Sequence, residues 1–141
     1  MTDPLLKYRE QHKHRLNYMP WLYWSLKPKH REWAEQWQAE YQAYLLEMET
    51  VEIGENCFIS PLAHIFAERG RKISIGDNTF IAADCTLHGP LQIGNEVAIN
   101  HHCILDGGRA GIKLHDLVRI AAYSHLYAFD HGMDLERPIS Q

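Results

Sequence analysis

The chain has no apolar run near the roughly 20 residues that a membrane-spanning helix needs. Its first residues, MTDPLLKYRE, lack the continuous apolar stretch of a secretory signal. Positive charge is not in excess: 14 Lys and Arg against 18 Asp and Glu leave a net −4, without the basic footprint of a nucleic-acid binder. Cysteine is scarce. Cys57, Cys85 and Cys103 show no CxxC spacing, and an odd number does not build a disulfide framework. These absences point to a soluble cytoplasmic protein with no membrane span. At 141 residues it is long enough for one core and short for two. With 45% hydrophobic and 23% charged residues, disorder is excluded. The one unusual count is histidine, at ten, which raises the question of metal or acid–base chemistry.

Two grammars divide the sequence. Residues 1–50 read as a helical cap: helix, loop, helix. Asp3 and Pro4 open the first helix as N-cap and first-turn residue, and the pattern runs to about Asn17. A loop with Pro20 and Pro28 follows, loaded with Trp21, Tyr23 and Trp24. The second helix, about Lys29 to Met48, carries Trp33, Trp37, Tyr41 and Leu45 four residues apart. That spacing makes an apolar stripe, read as packing surface rather than a sugar platform.

From Val51 the period becomes six. Ile or Leu recurs at 53, 59 and 65, at 75, 81 and 87, at 93, 99 and 105, and at 114, 120 and 126. A second series lies two residues before each of these positions. Of the 24 positions only Thr79 and Ser124 are not apolar, and both are small. Six residues per short strand and three strands per turn predict a triangular parallel β-helix over residues 51–141, with about four coils. Stacking then sets Ile53, Ile75, Ile93 and Leu114 in one inward column and Ile59, Ile81, Ile99 and Ile120 in another. The surplus residues at about Ala67–Lys72 and Gly107–Gly111 must leave the coil as loops. The three cysteines fall on small inward slots, as core residues rather than nucleophiles or ligands.

The repeated [LIV]-G-x-x-[small]-x pattern resembles the hexapeptide-repeat acyltransferases, above all the maltose, galactoside and polysaccharide O-acetyltransferases. The resemblance spans about residues 51–137 and implies a left-handed parallel β-helix and a homotrimer. The implied function is O-acetyl transfer from acetyl-CoA, as cosubstrate, to a hydroxyl of a sugar or polysaccharide precursor. Those enzymes carry a histidine five residues after the last isoleucine-type position of a coil. Here Leu126 plus five gives His131, with Gly132 in place of their proline. The resemblance thus implies His131 as general base, a role suited to an imidazole with an ordinary pKa near 6.5. It also implies Asn100, after Ile99, as an acceptor contact. The family's acidic residue near the end of that coil is replaced by Gly107-Gly108, and the adjacent Asp106 is the stand-in.

Two other readings compete. Leu87-His88-Gly89-Pro90 looks somewhat like the zinc-ligand segment of γ-class carbonic anhydrases, but that family's second histidine, five residues earlier, is Ala83 here. His101 and His102 are adjacent, so on a strand they would point to opposite faces and not share a metal. No metal site is expected, and His12, His14, His30 and His64 read as surface residues. The other reading is a catalytically incomplete scaffold. The chain ends ten residues after His131, whereas the resembled enzymes continue into coils along which CoA lies. A truncated enzyme, or a short form whose end a partner covers, is therefore expected. Arg69, Arg71, Lys72 and Arg109 are expected to be solvated loop charges.

Overall fold

The computed structural model describes residues 3–128. Helix α1 (Pro4–Tyr18) starts as the sequence indicates, the Asp3 carboxylate accepting from the Leu5 N–H at 3.0 Å. The aromatic loop is ordered as a 3-10 turn over Pro20–Ser25. Helix α2 (Pro28–Met48) follows, with Pro28 in the first turn, where its missing N–H costs nothing.

Twelve short strands then wind into three parallel sheets. The first contains β1 (Val51–Ile53), β4 (Ile73–Ile75), β7 (Leu91–Ile93) and β10 (Ile112–Leu114). The second contains β2 (Phe58–Ile59), β5 (Phe80–Ile81), β8 (Ala98–Ile99) and β11 (Arg119–Ile120). The third contains β3 (His64–Phe66), β6 (Thr86–His88), β9 (Ile104–Asp106) and β12 (His125–Tyr127). Each strand pairs only with its counterpart one coil away, as in a β-solenoid. The registers Ile53–Ile75–Ile93–Leu114 and Ile59–Ile81–Ile99–Ile120 are the inward columns expected from the six-residue period. The sequence's β-helix of about four coils with N-terminal helices is thus borne out.

Burial follows from this stacking. A two- or three-residue strand buries little by itself, but Ile59, Ile73, Ile81, Leu87 and Ile99 are all fully enclosed between coils. Each such side chain contributes roughly 1.5–3 kcal/mol of hydrophobic stabilisation. The corners are tight enough to force left-handed backbone on residues other than glycine. Asn56, Asn78, Glu96 and Leu117 repeat a positive φ of 53–67° at one corner, and Asp84, His102 and Tyr123 repeat one of 59–64° at another. At the first corner, side-chain oxygens of Asp77, Asn95 and Asp116 accept from the backbone N–H of Glu55, Asp77 and Asn95 at 2.7–2.8 Å. Each coil therefore satisfies backbone donors of the coil before it.

The helical cap closes the first coil. Trp37 and Tyr23 pack on the fully buried Phe58, with ring centroids 5.7 and 5.4 Å away, while Leu45 and Tyr41 join the solenoid core. The tryptophan stripe is packing surface. Near the end of α1, the Ser60 hydroxyl donates to Asn17 Oδ1 at 2.7 Å, and the Ala83 N–H donates to the Asn17 carbonyl at 2.7 Å.

Candidate functional site

The sequence nominates Asn100, Asp106 and His131. His131 lies outside the described residues. The other two lie on either side of one strand: Asn100 directly follows β8, at the corner before β9, and Asp106 is the last residue of β9. The fold therefore does not bring them together within one chain. It gives each its own neighbourhood.

At the Asn100 corner, Asn100 Nδ2 donates to the Ile120 carbonyl at 2.8 Å, which fixes the amide against the next coil. The adjacent histidines correct the sequence reading. β8 ends at Ile99, and His102 takes a left-handed φ of 59°, so the alternation of a strand does not apply. Their Nδ1 atoms lie 2.8 Å apart. One must donate and the other accept, so this contact holds one proton between two rings. His102 Nε2 is 3.4 Å from Asp84 Oδ2, its ring stacks on Tyr123, and the Tyr18 hydroxyl donates to the same Asp84 oxygen at 2.9 Å. That hydrogen bond, with some desolvation, raises the Tyr18 pKa. Sequence reasoning missed this cluster, because Tyr18 and Asp84 are far apart along the chain.

At the Asp106 corner, Asp106 Oδ1 accepts from the Gly108 N–H at 3.0 Å and lies 3.6 Å from His88 Nδ1. The other ring nitrogen of His88 is 2.5 Å from Glu68 Oε1 and 3.1 Å from Arg71 Nε. The Glu68 pKa is lowered, first by its hydrogen bond to His88. Arg71 Nη2 donates to the Gly108 carbonyl at 2.7 Å, and Lys72 Nζ reaches Glu52 Oε1 at 2.5 Å. Lys72 is thus a solvated loop charge with an exposed partner, as the sequence suggested, whereas Arg71 is half-buried and tied down. Arg71 ties the loop of the first coil to that of the third, with His88 braced between two carboxylates.

The remaining candidates resolve simply. Cys57, Cys85 and Cys103 are buried and free, and their thiols donate to the carbonyls of Gly76, Asn100 and Ala121 at 2.9–3.1 Å. Burial pushes the Cys85 pKa to about 12, far from a thiolate nucleophile at neutral pH. His12 and His30 are not isolated surface residues: their rings lie 4.4 Å apart between the two helices. Among the described residues, no three His, Cys, Asp or Glu side chains converge as a metal site. No helix among them is long and apolar enough to cross a membrane.

A capped parallel β-helix with a six-residue inward period defines the hexapeptide-repeat class. Comparison with known proteins narrows it. No family model matches the chain. Over 55 residues it is 36% identical to the dTDP-4-amino-4,6-dideoxy-D-glucose acyltransferase of Escherichia coli, a stretch of 38% of this chain and 29% of that enzyme. Its fold superposes with a TM-score of 0.55 and 30% identity on a mutant of AntD, an N-acyltransferase from Bacillus cereus crystallised with dTDP and coenzyme A. That match covers 69% of this chain and 52% of AntD. The chain thus spans less than two thirds of either relative. Repeat, coil and both relatives are consistent with the hexapeptide-repeat acyltransferase family, and at that level bear out the resemblance in the sequence.

Proposed function

We propose that this chain acts in acyl transfer from a coenzyme A thioester to a sugar, as a cytoplasmic homotrimer with acetyl-CoA as donor. The likeness to an N-acyltransferase holding dTDP and coenzyme A, across 69% of the chain, carries this reading. His131 is the general base, Asn100 contacts the acceptor, and Asp106 supports it from the far end of β9. In the step itself, the acceptor oxygen or nitrogen attacks the thioester carbonyl while His131 takes its proton. The tetrahedral intermediate then collapses, the carbon–sulfur bond breaks, and the departing CoA sulfur receives that proton. The separation of Asn100 from the Asp106 corner supports a site shared between copies, since one protomer holds these residues at two different edges.

The sequence resemblance favours a hydroxyl acceptor. A second reading, N-acylation of an amino sugar, is favoured by the named activities of both relatives. The test incubates the protein with acetyl-CoA and, separately, neutral sugars and a dTDP-linked amino sugar, and follows thiol release and product mass. Acetyl transfer that falls at least about a hundredfold in His131→Ala, as for a lost general base, supports the mechanism. Acetyl transfer unaffected by that change removes His131 from it, and no transfer to either acceptor overturns the reading in favour of a scaffold.

A further inference from the structure

The outer face of the second sheet is covered unevenly. Phe58, Phe80, Ala98 and Arg119 follow one another in register up this face, one per coil. The cap covers the lower two, with Trp24 and Trp21 on Phe80 at 6.0 and 6.4 Å between ring centroids. At the third coil the aromatic gives way to alanine. The step leaves a recess of about 480 Å³ walled by Trp21 and Trp24, floored by Phe80 and Ala98, and rimmed by Asn100 and Arg119 among others.

The walls of this recess are held in place. Trp24 Nε1 donates to the Asn56 carbonyl at 3.1 Å, and the Arg31 guanidinium donates to the Trp24 backbone carbonyl at 2.6 Å, so the indole and the backbone that carries it are each held by one bond. Trp21 stands on the same 3-10 turn and is 49% exposed, a large aromatic surface left in water. At the rim, Arg119 donates to the Glu96 carbonyl at 2.5 Å, and the Asn100 amide is fixed by its bond to Ile120. Two flat apolar walls thus meet a rim of one cation, one carboxylate (Glu96) and two amides (Asn78 and Asn100).

That combination selects a ligand class. A pyranose has apolar C–H faces to set against indole rings, and a ring of hydroxyls that each donate and accept. The recess has the size of a small-molecule site. Its charged groups cancel, which disfavours a nucleoside diphosphate: its phosphates would face a single arginine with a carboxylate beside it. We propose that the recess is a carbohydrate subsite that takes a neutral pyranose adjoining the one to be acylated, with Trp21 and Trp24 as stacking platform. The inference deepens the sugar-acyltransferase reading and rests on it for the identity of the adjoining ring. The acceptor is then at least a disaccharide.

Binding is tested without coenzyme A, by saturation-transfer NMR titrations of the full chain with maltose, lactose, N,N′-diacetylchitobiose and dTDP. Saturable binding of at least one neutral disaccharide, weakened about tenfold or more by Trp21→Ala and kept within about threefold by Trp21→Phe, supports the subsite. Glu96→Gln and Arg119→Ala, both at exposed positions, should each weaken it further. No saturable disaccharide binding, or binding indifferent to Trp21→Ala, overturns the proposal. So does dTDP binding that Trp21→Ala abolishes, which would make the recess a nucleotide site. Disaccharide binding without acetyl transfer refutes the enzyme reading and leaves the recess standing. Acetyl transfer whose KM for disaccharides ignores Trp21→Ala refutes the recess and leaves the enzyme.

Discussion

Gln38 meets the backbone of Ile59 as a neighbouring strand would. Its Oε1 accepts from the Ile59 N–H at 2.8 Å and its Nε2 donates to the Ile59 carbonyl at 3.0 Å. β2 is the edge of the second sheet, and its outward backbone groups lie under α2, away from water. One side-chain amide supplies the donor and acceptor that a further coil would have supplied. Gln42 adds a third bond, donating to the Cys57 carbonyl at 2.9 Å.

Gln38→Leu should therefore destabilise the protein although it adds apolar surface. Two buried backbone groups lose their partners, at a cost on the order of 2–4 kcal/mol. Gln38→Glu keeps the acceptor and loses the donor, and should still be destabilising. Urea denaturation of the three proteins checks both expectations, and a Leu variant as stable as the parent would show that the edge needs no such partner.

The pH dependence of the cap follows from His12. Burial, and then the nearby His30 and Arg15, lower its pKa below the ordinary 6.5. Because the folded pKa lies below the unfolded one, the unfolded chain binds more protons between the two values. The stability that His12 contributes is present above about pH 6.5 and is lost as pH falls through the folded value. Melting temperature should decline from pH 7.5 to 5.5, and His12→Gln should flatten that decline.

The thiols provide a probe of core integrity. Burial raises the pKa of all three cysteines, Cys85 to about 12, and each thiol is hydrogen-bonded to a carbonyl. At pH 8 the native protein should react with Ellman's reagent far more slowly than the urea-unfolded chain, which should titrate three thiols. Rapid labelling of the native protein would contradict the inward columns that place them.

Gly76 marks a close approach between coils. A Cβ there would stand 2.5 Å from Asn95 Oδ1 and 2.6 Å from the Gly94 carbonyl carbon and oxygen. The backbone cannot yield without breaking the Asn95 bond to the Asp77 N–H. Gly76→Ala should cost about 3 kcal/mol or more. Gly70→Ala is the control for crowding, since nothing lies within 4 Å of a Cβ at that loop glycine, and it should retain the fold despite its φ of 87°.

These elements differ in how far the sequence reveals them. The inward columns are legible because every sixth residue repeats one physical demand, a side chain that fits a dry prism. The registers Ile75–Ile93 and Ile81–Ile99 follow directly from it. Gln38 is not legible in this way, since one glutamine on a helix says nothing about which strand edge it will face. His101 and His102 read as opposed strand residues until the corner is known, where His102 has a left-handed φ and the two Nδ1 atoms meet. Arg71 reads as a loop charge until the two loops are known to meet over His88. The aromatic recess needed the 3-10 turn, whose orientation depends on Trp24 bonding Asn56 across the cap.

The proposed sharing of the site between copies leads to a quantitative expectation for a trimer with composite sites. If each site takes Asn100 from one copy and His131 from the next, Asn100→Ala and His131→Ala are each inactive alone, but together they are complementary. A site in a mixed trimer works when its histidine comes from an Asn100→Ala chain and its asparagine from a His131→Ala neighbour. Random reassembly at equal concentrations gives that pairing at about one site in four, so activity should return to about a quarter of the parent value. Sites confined to single chains would recover none, since every chain in the mixture lacks one of the two residues. Co-refolding the variants and assaying acetyl transfer distinguishes these outcomes, and the order of mixing should make no difference.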